Sequence, residues 1–98
     1  MTEAELLAEV TKRCDQLGLR YHHCRDSRHC EGDPGFPDLV IFGCRKLLFR
    51  ELKSEDGRSS RAQLSFLDVL RMNRLNIGIW RPEDWDSGRI TRELEEIA

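Results

Sequence analysis

Leu6, Leu7, Val10, Cys14 and Leu17 recur at the three- and four-residue spacing of one helix face and predict an amphipathic helix over Thr2 to Leu17. Thr2-x-x-Glu5 is a capping box at its start, and Gly18 stands where a helix C-cap belongs. Glu3 falls on the stripe of Leu7 and Val10, so one carboxylate is expected to face inward, while Glu5, Glu9 and Lys12 point elsewhere. Leu19 to Cys24 reads as a first strand. Arg25 to Gly35 is a polar connection rich in Asp, Ser, Gly and Pro. Asp38 to Phe42 is a short apolar strand whose start is marked by Pro37, Gly43 to Arg45 a tight turn, and Lys46 to Lys53 the returning strand of a hairpin. After a loop over Ser54 to Ser59, Ser60 to Met72 reads as a second helix, with Ser60-x-x-Gln63 as capping box and Leu64, Leu67 and Leu70 as core positions. Asn76 to Trp80 is a last strand ended by Pro82, and Gly88 to Ile97 closes as a short helix. Trp80 and Trp85 read as packing residues, with Trp85 covering the sheet edge. The order α-β-β-β-α-β-(α) is that of one α/β domain over residues 1–98, without repeats or linkers.

Composition narrows this picture. A 98-residue chain with 39% hydrophobic residues supports one modest core, and 35% charged residues imply a well-solvated surface. No apolar run approaches the ~20 residues of a membrane span. Acidic Glu3 and Glu5 stand where a signal peptide would be basic, so the expected location is cytoplasmic. Cys14, Cys24, Cys30 and Cys44 are accordingly expected as reduced thiols. The formal net charge of −2 is not the footprint of a strong nucleic-acid binder. It is unevenly spread, however: Arg45, Lys46, Arg50, Lys53, Arg58 and Arg61 make the middle basic, and the segment after Pro82 is acidic. A polyanionic substrate held at the centre of the chain remains compatible with that pattern.

The candidate chemistry lies in the hairpin. Asp38 opens one strand and Glu51 nearly ends its neighbour, and antiparallel pairing makes those ends adjacent. Residues i and i+2 of a strand share a face, so Glu51 and Lys53 project together. Two carboxylates and an ammonium converge at the end of an otherwise apolar strand, where burying charge is expensive. A hard divalent cation would offset that cost, since Mg²⁺ is commonly held by one or two carboxylates plus phosphate. Lys53 would orient an attacking water or stabilise developing negative charge. The plainer alternative is an ion pair at the rim of a sheet.

Gly35-Phe36-Pro37-Asp38-Leu39-Val40, then Glu51-Leu52-Lys53, then Gln63 in the following helix resemble the PD-(D/E)xK nuclease superfamily, and more narrowly its VRR-NUC group of small phage and bacterial nucleases. The bare PD…ExK string is weak. The extended pattern, in the right element order and followed by a strand ending Trp80-Arg81-Pro82, is specific and spans nearly the whole chain. The resemblance implies an α/β, restriction-endonuclease-like α-β-β-β-α-β core with a mixed sheet flanked by helices. It implies Asp38, Glu51 and the Leu52 carbonyl as metal ligands, with Glu3 as a further ligand from the first helix. Lys53 and Gln63 become the catalytic residues, and Mg²⁺ the cofactor, with Mn²⁺ substituting. The implied activity is hydrolysis of DNA to 5′-phosphate and 3′-hydroxyl ends. So small a chain has little surface for specificity, so branched, flapped or four-way DNA is the expected substrate. A homodimer of the kind a Holliday-junction resolvase needs, or a helicase or other replication and repair partner, would complete it in a bacterial or phage-infected cell.

Other signals are less specific. Arg25, Arg28, Arg58 and Arg61 are candidate DNA contacts, and Arg45 and Lys46 could hold phosphates without sequence preference. His22, His23, Cys24, His29 and Cys30 form a His/Cys-rich patch without the usual spacing of a zinc site. Two rival readings follow: a non-catalytic nucleic-acid-binding module on the same fold, and a zinc-stabilised binding domain using Cys24 and Cys30.

Overall fold

Each predicted segment has a local cause that the structure, a computed structural model, bears out; it describes residues 1–24 and 31–98. Helix α1 (Glu3–Leu17) is capped by Thr2, which exchanges both capping-box hydrogen bonds with Glu5, and it stops at Gly18 in the left-handed conformation, φ 72°. Strands β1 (Arg20–His23), β2 (Leu39–Phe42) and β3 (Leu47–Leu52) follow. Helix α2 (Arg61–Met72) starts at the Ser60/Gln63 capping box and leads to β4 (Ile77–Trp80). The chain ends in α3 (Pro82–Asp86) and α4 (Arg89–Ile97).

The sheet runs β1-β2-β3-β4. β1, β2 and β3 pair antiparallel, and β4 joins β3 in parallel through the α2 crossover. It is the mixed sheet that was expected. The short helix α3 was not: Pro82 ends the strand and also opens a helix, with Asp84 accepting from the Arg81 backbone at 2.8 Å.

Strand alternation sorts β3 onto two faces. Leu48 and Leu52 join Leu39, Ile41 and Trp80 in the main core, closed by Leu6, Val10 and Cys14 of α1 and by Ile90, Leu94 and Ile97 of α4. Trp85 packs against this core, as expected. Burial pushes the Cys14 thiol up to about 11, helped by the charge of Asp15, so it behaves as a small core hydrophobe. The opposite face carries Val40, Phe49 and Glu51 toward α2, and this layer is thinner. Its inward helical stripe is Gln63, Phe66, Leu67 and Leu70, spaced i, i+3, i+4 and i+7. Leu64 was expected in the core but is 50% exposed, because Gln63 takes the inward position of the first turn.

Arg50 also departs from expectation. It is 4% exposed on the core face and is no part of a basic surface. Its guanidinium lies 5.1 Å from the Trp80 ring centroid and pairs with Glu93 of α4 at 2.7 Å, with Asn76 accepting two further hydrogen bonds. Burial lowers the Arg50 pKa, opposed by Glu93. The Glu93 carboxyl sits below its ordinary value, since hydrogen bonds and charge from Arg50, with Trp80 and Arg89, outweigh the opposing effect of its burial.

Candidate functional site

The site forms where the β2–β3 ladder runs out. Phe49 and Lys53 donate their backbone N–H groups to β4, at Asn76 and Trp80. Strand geometry therefore turns the backbone of Arg50 and Leu52 toward β2. Arg50 pairs with Leu39, so the next position in the ladder, opposite Leu52, is Pro37. Proline has no N–H to give, which leaves the Leu52 carbonyl without its ladder donor. The Leu52 N–H is taken instead by the Asp38 carboxylate, at 3.0 Å. Pro37 thus ends the pairing and hands its place to Asp38.

Asp38 and Glu51 meet across this gap, with the Asp38 N–H donating to Glu51 Oε2 at 3.3 Å. Glu51 is 1% exposed. Burial first, then a hydrogen bond and like charge from Asp38, push its carboxyl up to about 8 against the opposing Lys53 ammonium. Lys53 Nζ lies 3.6 Å from Glu51 Oε1 and 3.0 Å from Gln63 Oε1. Gln63 Nε2 donates to Glu51 Oε1 at 2.8 Å. The same Gln63 Oε1 also accepts from the Ser60 N–H at 2.8 Å. Gln63 therefore caps α2 and contacts Lys53 and Glu51 at once. One amide fixes the start of α2, the lysine and the glutamate together.

Asp38, Glu51, Leu52, Lys53 and Gln63 are brought together as expected. Glu3 is not among them: it is exposed on the first turn of α1, and the inward positions are Leu6, Val10 and Cys14. Sharing the stripe is not enough for burial in a terminal turn. Arg58 and Arg61 are exposed on the loop before α2 and its first turn, next to the site in sequence. Arg45 and Lys46 sit in the β2–β3 turn, at the opposite end of the hairpin, so the basic middle does not act as one patch. Arg25, Arg28, His29 and Cys30 lie outside the described residues. Cys24 is disulfide-bonded, which corrects the expectation of four reduced thiols. A disulfide sulfur is no thiolate ligand, so the zinc-stabilised alternative loses Cys24.

Two supports were not foreseen. Arg81 donates through one guanidinium nitrogen to the carbonyls of Ser54 and Gly57, each at 2.7 Å, and clamps the loop that leaves Lys53. Its position directly after the last strand was the available signal. Gly35 (φ 97°) lets the segment before Asp38 lie directly on α2, where a Cβ would overlap the Ala62 carbonyl.

The donor set is two carboxylates and a main-chain carbonyl, all hard oxygens. Among the described residues no group of three or more His, Cys, Asp and Glu side chains converges. Such a set suits Mg²⁺, which takes few protein ligands and keeps waters or phosphate in its other positions. The carboxyl pair, buried at Glu51 and half-buried at Asp38 and faced by one ammonium, supplies the negative charge such an ion would neutralise.

A solved structure described as "VRR_NUC domain" matches over the whole of both chains, with a TM-score of 0.76 and 20% identity. The chain has a VRR-NUC-like fold. No family model and no curated protein matches its sequence. At that identity the likeness is one of architecture: the VRR-NUC-like arrangement of helices around a mixed four-stranded sheet carries the hairpin and the α2 amide described above.

Proposed function

We propose that this chain is a Mg²⁺-dependent nuclease, with Mn²⁺ able to substitute, that hydrolyses phosphodiester bonds in DNA. The reading rests on the buried Glu51 carboxyl meeting half-buried Asp38, with Lys53 tethered beside them by Gln63. Asp38, Glu51 and the Leu52 carbonyl would hold the ion. When bound, it would polarise a phosphoryl oxygen and ease deprotonation of a water.

The chain's own residues do the rest. Lys53, 13% exposed, holds a fixed ammonium at the mouth of the carboxyl pair, where it stabilises negative charge developing on the phosphate or orients the attacking water. Gln63 keeps Lys53 from collapsing fully onto Glu51 by offering its oxygen as a second acceptor. Water adds to phosphorus and the P–O3′ bond breaks, which leaves 5′-phosphate and 3′-hydroxyl ends. Arg58 and Arg61 supply phosphate contacts without base preference. Branched, flapped or four-way DNA is the proposed substrate, and a homodimer would bring the two sites that symmetrical cutting of a four-way junction needs.

A Mg²⁺ titration over linear, flap and four-way DNA tests this, run beside Asp38→Ala and Lys53→Ala whose folds are verified by circular dichroism. Cleavage by the wild type alone is expected. Folded wild type that cuts none of these substrates in either Mg²⁺ or Mn²⁺ refutes the proposal, and points to a binding module on the same fold.

A further inference from the structure

Beside Asp38, on the β1–β2 side away from Lys53, lies a cavity of about 300 Å³. Apolar Val40, Pro37 and Phe36 line it together with His22 and the exposed carboxylates Glu31 and Asp33. α2 covers the β3–β4 half of this sheet face, and the cavity lies over the other half, which no helix among the described residues covers.

Three observations restrict what enters it. The volume is at the lower limit for small-molecule sites and fits one planar group. Exposed Glu31 and Asp33 repel phosphate, so the group that enters is not itself an anion. Phe36 is 45% exposed yet held edge-on by Phe49 and Phe66, with ring centroids at 6.0 and 5.3 Å. A half-exposed aromatic ring fixed by two others is a ready stacking surface. It stands two residues before Asp38.

We propose that this cavity receives an unpaired nucleobase from the nucleotide adjoining the scissile phosphate, which a cation at Asp38 and Glu51 would bind. The inference rests on the nuclease reading and deepens it. A base inside a duplex enters only by losing its stacking and pairing, whereas a base at a flap or branch turns in at little cost. Selection of branched DNA then comes from a base-sized recess next to the chemistry, on a chain with little surface for any other means.

The test uses flap DNA carrying 2-aminopurine, or an abasic nucleotide, at each position flanking the cut, with Ca²⁺ replacing Mg²⁺ for binding. At one position the 2-aminopurine fluorescence changes on binding, and the abasic nucleotide weakens binding about ten-fold. Phe36→Leu abolishes the fluorescence change and removes the penalty for base loss. Wild type that binds and cuts flap DNA equally well with every flanking base removed overturns this inference and leaves the nuclease reading standing. Failure to bind or cut any DNA overturns both. The abasic arm needs only the wild-type protein, so it decides the matter even if Phe36→Leu fails to fold.

Discussion

Glu51 sets function against stability, and the conflict is measurable. Its carboxyl rises from 4.5 to about 8 in the metal-free fold, so the native state keeps a proton that the unfolded chain releases. The stabilisation tied to that proton is complete below pH 4.5 and is lost as pH rises through 8. At ~1.36 kcal/mol per pKa unit, a rise from 4.5 to about 8 sets a ceiling of roughly 5 kcal/mol, most of it lost between pH 5 and 9. In a domain of this size that corresponds to a melting-temperature difference of order 20 °C. Glu51→Gln has no proton to lose and keeps an oxygen for Gln63 Nε2. In EDTA, its melting temperature is expected to hold between pH 5 and 9 relative to the wild type, which falls steadily. Asp38→Asn flattens the wild-type slope in part, because it removes the like charge that helps raise the Glu51 carboxyl. Millimolar Mg²⁺ at pH 8 then raises the wild type and leaves Glu51→Gln unmoved. Parallel melting curves for wild type and Glu51→Gln across that range would refute the account of a buried, protonated Glu51.

Four further outcomes follow from the same geometry. Gln63→Glu keeps the acceptor for Lys53 and Ser60 but places a third carboxylate against Glu51, so the pH profile of cleavage moves upward, read from initial rates between pH 6 and 10. Arg81→Ala frees the carbonyls of Ser54 and Gly57; trypsin then cuts faster after Lys53 or Arg58, and cleavage of DNA falls about ten-fold through a displaced Lys53. Gly35→Ala meets both a φ of 97° and the Ala62 carbonyl, and costs about 2–3 kcal/mol in urea unfolding. Glu93→Ala leaves Arg50 charged and buried without its carboxylate and costs about 3–5 kcal/mol, whereas replacing both partners with Arg50→Met and Glu93→Leu costs much less.

The elements that could be read from the chain are those whose signals are local. Capping boxes at Thr2 and Ser60, the glycine stop at Gly18 and the two-residue alternation of the hairpin all operate within a few residues, and each holds. What was misread depends on what lies opposite in space. Glu3 and Leu64 both sit at sound helical spacing, yet each occupies a first turn where the facing surface decides burial. For α2, shifting the stripe by one residue places Gln63 inward and Leu64 outward, which unites the helix pattern with the site. Arg50 carried a usable signal, since its parity matches Leu48 and Leu52 and sets a charge on the core face. Its partner lies 43 residues away on α4, where no local pattern points to it. The Arg81 clamp and the support of Phe36 by Phe49 and Phe66 are long-range in the same way.

The site residues were legible for a different reason: charge at the end of an apolar strand is an imbalance that something must resolve. Pro37 removes a ladder donor, Asp38 takes the freed Leu52 N–H, and Glu51 is drawn into a space already holding one carboxyl group. One ammonium faces two carboxyls, so the pair is short of one positive charge. A proton on the raised Glu51 carboxyl supplies it, and in the proposed nuclease a divalent cation would supply it instead. The two occupants exclude each other, so each ion bound below pH 8 releases close to one proton, and apparent affinity falls about ten-fold per pH unit as pH drops further. Calorimetry of Mg²⁺ binding in buffers of different ionisation enthalpy measures that proton directly. Binding without proton release at pH 7 would mean that the ion sits somewhere other than between Asp38 and Glu51.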